Sequence, residues 1–353
     1  VSESAETIAV RPDETLPLDR LKAFLKGTID DTADEIAIEQ FPHGHSNLTY
    51  LLRAGGREFV LRRPPLGPLA HRAHDMAREF RVLSAVHPRF SQAPAPVCLC
   101  EDPQVLGAPF FLMERRSGIV LRDRVPPEVS RLPDGPARVS QAFLETLVQL
   151  HAVPLDREQA NSLGKPEGYV ERQVRGWAER WDQAKTEEAP EVDAVIRWLA
   201  SHIPPPLAPT LIHNDYKLDN LILSAASPDR VEAVLDWEMA TVGDPLSDLG
   251  LTLCYWVWAA QPEVRMPGIP ALTEGAGWYT RGRLIDGYAA RSGRDLSHIG
   301  YYEVLGIFKL AVIVQQIYCR FHRGQTRDER FRSFEGRGQR LGALAARLAE
   351  NYG

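Results

Sequence analysis

A single spacing limits how this chain can fold more than any other feature. The run Leu211-Ile212-His213-Asn214-Asp215-Tyr216-Lys217-Leu218-Asp219-Asn220 places a His two residues before an Asp and an Asn five residues after it. Sixteen residues beyond Asn220 stands Asp236, at the end of the apolar run Val231-Glu232-Ala233-Val234-Leu235. A short loop can gather Asp215 and Asn220 around one point, and a buried strand can fix Asp236 by its backbone.

Those residue types suit phosphoryl transfer. Asp215 can accept the proton of an attacking hydroxyl, and Asn220 and Asp236 offer oxygens of the kind Mg²⁺ prefers. The reaction asks for positioning and charge neutralisation more than for covalent chemistry. A plainer reading makes Asp215 and Asp219 turn residues and Asn220 a helix cap. Composition alone would give His-x-Asp-x₄-Asn in on the order of one such chain in a hundred, and the following strand and Asp make coincidence rarer still. His213 reads either as a proton shuttle facing the same side as Asp215 or as a buried hydrogen-bonding brace.

At 353 residues with a net charge of −6, the chain can bury a large core and has no basic surplus that would favour nucleic acid. Four cysteines are too few for a disulfide framework, and Cys98 and Cys100 alternate on a strand-like run. Residues 1–19 lack the pattern of a signal peptide, and the apolar stretch Val304–Val314 is interrupted by Lys309, which reads as a core helix rather than a membrane span. The expectation is a cytoplasmic protein.

The first third has strand character in Glu35–Phe41, Leu48–Arg53, Glu58–Arg63, Pro94–Cys100 and Pro109–Met113, with Gly55-Gly56 as a hairpin turn. One helix, His74–Val86, shows apolar spacing at Met76, Phe80, Leu83 and Val86. Beyond residue 116 the pattern is helical. It predicts Ala142–His151, Val170–Gln183, Val192–Ser201, Pro245–Trp258, Tyr279–Ala290, Tyr301–Phe321 and Phe331–Leu348, with strand-like pieces at Leu221–Leu223 and Val231–Leu235. The expected class is α+β in two lobes. Residues 1–34 form an extension with a first helix, 35–116 a small β-rich lobe with one main helix, and 117–353 a larger, mostly helical lobe.

The loop resembles that of the aminoglycoside phosphotransferase and choline kinase-like family, which shares the two-lobed protein-kinase fold. The resemblance runs from about residue 35 to at least residue 255. Leu61-Arg62-Arg63-Pro64-Pro65 and Asp244-Pro245-Leu246-Ser247-Asp248-Leu249-Gly250 are similar to one branch. That branch includes the kinase-like domain fused to some acyl-CoA dehydrogenases and free-standing bacterial relatives. The resemblance implies ATP as donor, Asp215 as base, and Mg²⁺ held at Asn220 and Asp236. Where the family's third strand carries a phosphate-anchoring lysine paired with a helix glutamate, this chain has Arg62 and Glu79. Arg keeps the charge with altered geometry, and Arg63 points to the other face of the strand.

Phe41-Pro42-His43-Gly44-His45-Ser46-Asn47 matches the glycine-rich loop poorly; Gly44, Ser46 and Asn47 are its candidate phosphate contacts, though a plain hairpin would look the same. Phe111-Leu112-Met113-Glu114 resembles the hinge, which makes the backbone of Met113 and Glu114 the expected adenine contact. Asp236 is followed by Trp237-Glu238 rather than Phe-Gly, so the mobile Phe switch of regulated protein kinases is absent. No Gly-x₄-Gly-Lys-Ser/Thr occurs, which argues against a P-loop enzyme. Asp244 and Asp248 read as structural, capping a helix or holding the loop.

The acceptor carries no motif. Trp177, Trp181, Trp256, Trp258 and Trp278 read mostly as core. From Arg281 to Arg340 twelve Lys/Arg stand against six Asp/Glu, which solvated helix faces explain and an anionic acceptor would also fit. The expected function is an ATP- and Mg²⁺-dependent small-molecule kinase acting on a hydroxyl-bearing acceptor, with a hydroxyacyl-CoA as the first choice. A non-catalytic nucleotide-binding module and a nucleotidyl transferase are the other readings.

Overall fold

The computed structural model describes residues 6–26, 28–29, 36–42, 47–65, 75–122, 124–256, 272–326 and 328–352. The chain forms two compact units, Val1–Gly118 with Glu232–Ala240, and Ile119–Val231 with Thr241–Gly353. The sequence reading kept residues 117–353 together; Glu232–Ala240, with Asp236, instead packs as part of the first unit.

The first unit begins with α1 (Leu18–Lys26), followed by β1 (Ile36–Gln40), β2 (Leu48–Ala54), β3 (Arg57–Arg63), α2 (Met76–Val86), β4 (Pro96–Cys100), the short α3 (Pro103–Leu106) and β5 (Phe110–Glu114). The five strands form one antiparallel sheet in the order β1-β2-β3-β5-β4. Gly55 and Gly56 close the β2–β3 hairpin with φ of 57° and 72°, a left-handed pair that glycine adopts without strain. Alternation then sorts the faces. Tyr50, Leu52, Ala54, Phe59 and Leu61 turn one way and form a core with Leu21 and Leu25 of α1. Arg63 shares that face and donates to Leu106 O at 2.8 Å, which leaves Arg62 on the other.

Helix α2 starts at Asp75, whose carboxylate caps Arg78 N at 2.9 Å. Met76, Glu79, Leu83 and Val86 recur at helical spacing and are buried, so a carboxylate sits in an otherwise apolar stripe. Such a group needs a partner.

The second unit contains β6 (Ile119–Val120), α4 (Pro127–Ser130), α5 (Gly135–His151), α6 (Arg157–Leu163), α7 (Tyr169–Ala184), α8 (Pro190–Ser201), β7 (Thr210–Ile212) and β8 (Leu221–Leu223). Strand β9 (Val231–Val234) leads into the segment that belongs to the first unit. Then come β10 (Thr241–Gly243), α9 (Pro245–Tyr255), α10 (Arg281–Ser292), α11 (Ile299–His322) and α12 (Arg337–Glu350). The predicted helix Phe331–Leu348 is two elements, a 3-10 turn Glu329–Phe334 and α12, parted by Gly336 at φ 66°.

Helix α11 is the axis of this unit, packing on α7, α8, α9 and α12. By length and composition it could cross a membrane, yet 72% of its most apolar window is buried inside the protein, as in a core helix. It meets α9 closely: a Cβ on Gly250 would lie 2.5 Å from Tyr302 O. Gly250→Ala should therefore force the two helices apart and cost about 1–3 kcal/mol, visible as a lower melting temperature. Trp177, Trp181, Trp256 and Trp278 are all buried; Trp258 lies outside the described residues.

Candidate active site

In the first unit the polar face of β3 meets α2. Arg62 Nη1 lies 3.1 Å from Glu79 Oε1, Nη2 lies 3.0 Å from Asp236 Oδ1, and Glu238 Oε2 is 3.6 Å away. Arg62 and Glu79 are 7% and 1% exposed, which makes this a buried cluster. Burial opposes the charge on Arg62, but the three carboxylates outweigh it and push its pKa above the ordinary value. Burial pushes the Glu79 carboxyl up, against the pull of Arg62. One guanidinium among three carboxylates leaves an excess of negative charge.

The segment carrying Asp236 is fixed from α2. Arg78 donates to Glu238 O at 2.7 Å and Ala240 O at 2.5 Å. Trp237 is buried, with its Nε1 donating to Val234 O at 2.8 Å and its ring edge-on to Phe90. Asp236 itself takes φ 65°, a left-handed conformation that Asp tolerates better than most residues. Asn47 is buried and donates to Glu238 Oε2 at 2.7 Å, so its side chain braces the acidic cluster. Gly44 and Ser46 lie outside the described residues. Met113 and Glu114 end β5 as expected, but Glu114 N donates to Ala95 O at 2.8 Å, which leaves that N–H unavailable to a base.

In the second unit the loop between β7 and β8 is held from beneath. Asp248, fully buried on α9, accepts from His213 N at 2.6 Å and Asn214 N at 2.8 Å. It also faces His151 Nε2 at 3.2 Å, and His151 Nδ1 meets the Tyr288 hydroxyl at 2.6 Å. Burial disfavours the Asp248 charge, but hydrogen bonds from His151 and the His213 backbone hold its pKa below the usual carboxylate range. Asp244 caps α9 through Leu246 N at 2.9 Å. Both aspartates are structural, as their sequence context implies.

His213 is fully buried, whereas the Asp215 side chain is 22% exposed. The two do not share a solvent-facing side, and the brace reading of His213 fits this better than a shuttle. Asn220 Nδ2 donates to Asp215 O and to Asp215 Oδ2, both at 2.9 Å, which turns Asn220 Oδ1 away from the carboxylate.

Two further residues reach Asp215 without a prior signal in the sequence. Lys217 Nζ lies 3.3 Å from Asp215 Oδ2, and the Tyr255 hydroxyl donates to the same carboxylate. Beside them is a small recess of about 30 Å³, lined by Leu121, Phe143, Leu218, Trp256, Tyr255 and Lys217 among others.

Among the described residues no three His, Cys, Asp or Glu side chains gather to hold a metal. The donors named by the sequence, Asn220 and Asp236, are oxygens of an amide and a carboxylate, types that suit Mg²⁺. The Arg62 cluster also carries the negative excess that a divalent cation would balance. Arg62 Nε is buried and has no hydrogen-bond partner among the described residues, a donor of the kind a phosphate oxygen would satisfy.

Comparison with known proteins adds the context. Residues 37–284 match the family model described as "Phosphotransferase enzyme family". Over 98% of its length the chain is 32% identical to acyl-CoA dehydrogenase family member 10 of Mus musculus, of which it spans 31%. A crystal structure from Ralstonia eutropha, provisionally assigned as an aminoglycoside phosphotransferase, superposes with a TM-score of 0.80 at 28% identity, covering 96% of this chain and 99% of the other. Aminoglycoside phosphotransferase APH(4)-Ia, solved with AMP-PNP and hygromycin B, gives a TM-score of 0.60 at 17% identity over 93% and 98% of the two chains. The fold is the kinase-like one of these structures.

Proposed function

Since the chain belongs to the phosphotransferase enzyme family, we propose that it transfers the γ-phosphoryl group of ATP to the hydroxyl of a small molecule. The observation that carries this reading is the loop geometry: Asp215 is exposed enough to meet a substrate, and Asn220 is bonded to it while turning its own oxygen elsewhere. Asp215 accepts the acceptor's proton as the oxygen attacks the γ-phosphorus, and ADP leaves. Lys217 sets a positive charge beside the Asp215 carboxylate. Mg²⁺, for which Asn220 and Asp236 are the proposed ligands, would neutralise phosphate charge. Arg62, oriented by Glu79, contacts the nucleotide phosphates.

Losing one charge-assisted phosphate contact costs about 1.5–3 kcal/mol, so Arg62→Gln should raise KM for ATP about ten- to a hundred-fold with a smaller change in kcat. Steady-state kinetics across an ATP series checks this.

For the acceptor we favour a hydroxyacyl-CoA. The relative above is named an acyl-CoA dehydrogenase family member, the recess beside Asp215 is mainly apolar, and residues 281–340 carry a basic surplus. Apolar side chains at the mouth of the site suit an acyl chain better than a polycationic sugar. The test is ADP formation over a panel of hydroxyacyl-CoAs, sugars, amino alcohols and aminoglycosides. Turnover of a sugar or amino alcohol with no response to any CoA ester would reject the acceptor assignment. Release of pyrophosphate with label retained from the α-phosphate would replace phosphoryl by nucleotidyl transfer.

A further inference from the structure

Lys309 is the only charged residue between Val304 and Gln315 of α11 and is 4% exposed. An ammonium removed from water is unfavourable, and an apolar side chain of similar length would pack in the same place without that cost. Its surroundings are specific. Nζ lies 3.5 Å from Asn214 Oδ1 and 5.6 Å from the centroid of the Trp177 ring. Asp248 and Cys254 of α9, Asp215 of the loop and Arg180 of α7 also act on it electrostatically. Burial pushes Lys309 down to about 8, against the pull of the two aspartates.

Asn214 is the residue immediately before Asp215 and takes φ 64°. Three helices hold it there: α9 through Asp248 Oδ1 on its N–H at 2.8 Å, α7 through the Tyr169 hydroxyl on Oδ1 at 3.0 Å, and α11 through Lys309. The left-handed turn at this position sets the direction in which the next side chain leaves the loop.

We propose that Lys309 is a positioning residue of the loop: its buried ammonium holds the Asn214 side chain, and with it the turn that aims Asp215. The kinetic consequence rests on Asp215 being the base, as proposed above, while the conformational consequence does not.

The experiment compares the wild-type chain with Lys309→Met, which keeps the length and removes the charge, and with Lys309→Arg, which restores a charge. Thermal unfolding, hydrogen exchange of peptides covering residues 211–220, and ADP formation from ATP with a hydroxyacyl-CoA as probe are measured on each. Lys309→Met should melt at or above the wild-type temperature and exchange faster across 211–220 alone. Its kcat should fall about ten- to a hundred-fold, with KM for ATP within about twofold of wild type and partial recovery in Lys309→Arg. Unchanged exchange in 211–220, or a lower melting temperature with exchange raised throughout the second unit, would overturn the proposal in favour of plain packing. If wild type forms no ADP with this probe, the acceptor assignment fails, and the exchange of 211–220 decides Lys309 on its own.

Discussion

Asp215→Asn should reduce kcat by about 10²–10⁴-fold, the usual contribution of a positioned general base, while the protein stays folded. The substitution keeps the size of the side chain and its place between Lys217 and Asn220. It removes the capacity to accept a proton. The nucleotide phosphates are assigned to Arg62 and the metal ligands, so KM for ATP should move little. A loss concentrated in kcat separates a base from a residue that merely helps binding. Single-turnover measurement of ADP formation, with ATP affinity determined separately, gives both quantities.

The second large effect concerns the support beneath the loop. Asp248→Ala should destabilise the second unit by about 3–5 kcal/mol, the range for removing one partner of a buried charged network. Two backbone N–H groups and the His151 ring would lose their acceptor in the interior. The pH dependence should have the same origin. Burial holds the folded-state pKa of His151 below its ordinary 6.5, so the unfolded chain binds the extra proton and stability declines as pH falls below that value. Asp248, held below its ordinary 3.8, contributes stability above that pH which is lost as pH falls through its folded-state value. Acidification should therefore destabilise in two stages. Melting temperatures between neutral pH and about pH 3 should show both in wild type, with the lower stage reduced in Asp248→Ala.

Much of this site could be read from the residues because its parts are local. Alternation along β3 separates Arg62 from Arg63, and Glu79 stands out as a carboxylate inside the apolar stripe of α2. Asp215 and Asn220 are bound through a spacing of five. The pairings that were missed join residues far apart in the chain. Asn47 and Glu238 are separated by 191 residues, and Arg78 reaches Ala240 over 162. Nothing near any of these four marks its partner.

The Tyr255 hydroxyl on Asp215 is equally silent, since a tyrosine ending an apolar helix reads as core. Lys309 stands out in the sequence as a charge interrupting an apolar run, a sign of a core helix but not of a role. Its neighbours supply the missing reason. Gly336 breaks the chain before α12, inside a stretch whose helical spacing runs on either side of it. The return of Glu232–Ala240 to the first unit depends on packing against α2 and had no counterpart in composition.

The account's central claim is phosphoryl transfer from ATP with Asp215 as base. Its most direct test follows the label from γ-labelled ATP into a hydroxyacyl-CoA with wild type and with Asp215→Asn. The expected result is label in the acyl-CoA product with wild type and about background with the variant. Equal labelling by the two proteins would contradict the assignment of Asp215, and labelling by wild type from α-labelled but not γ-labelled ATP would contradict the reaction itself.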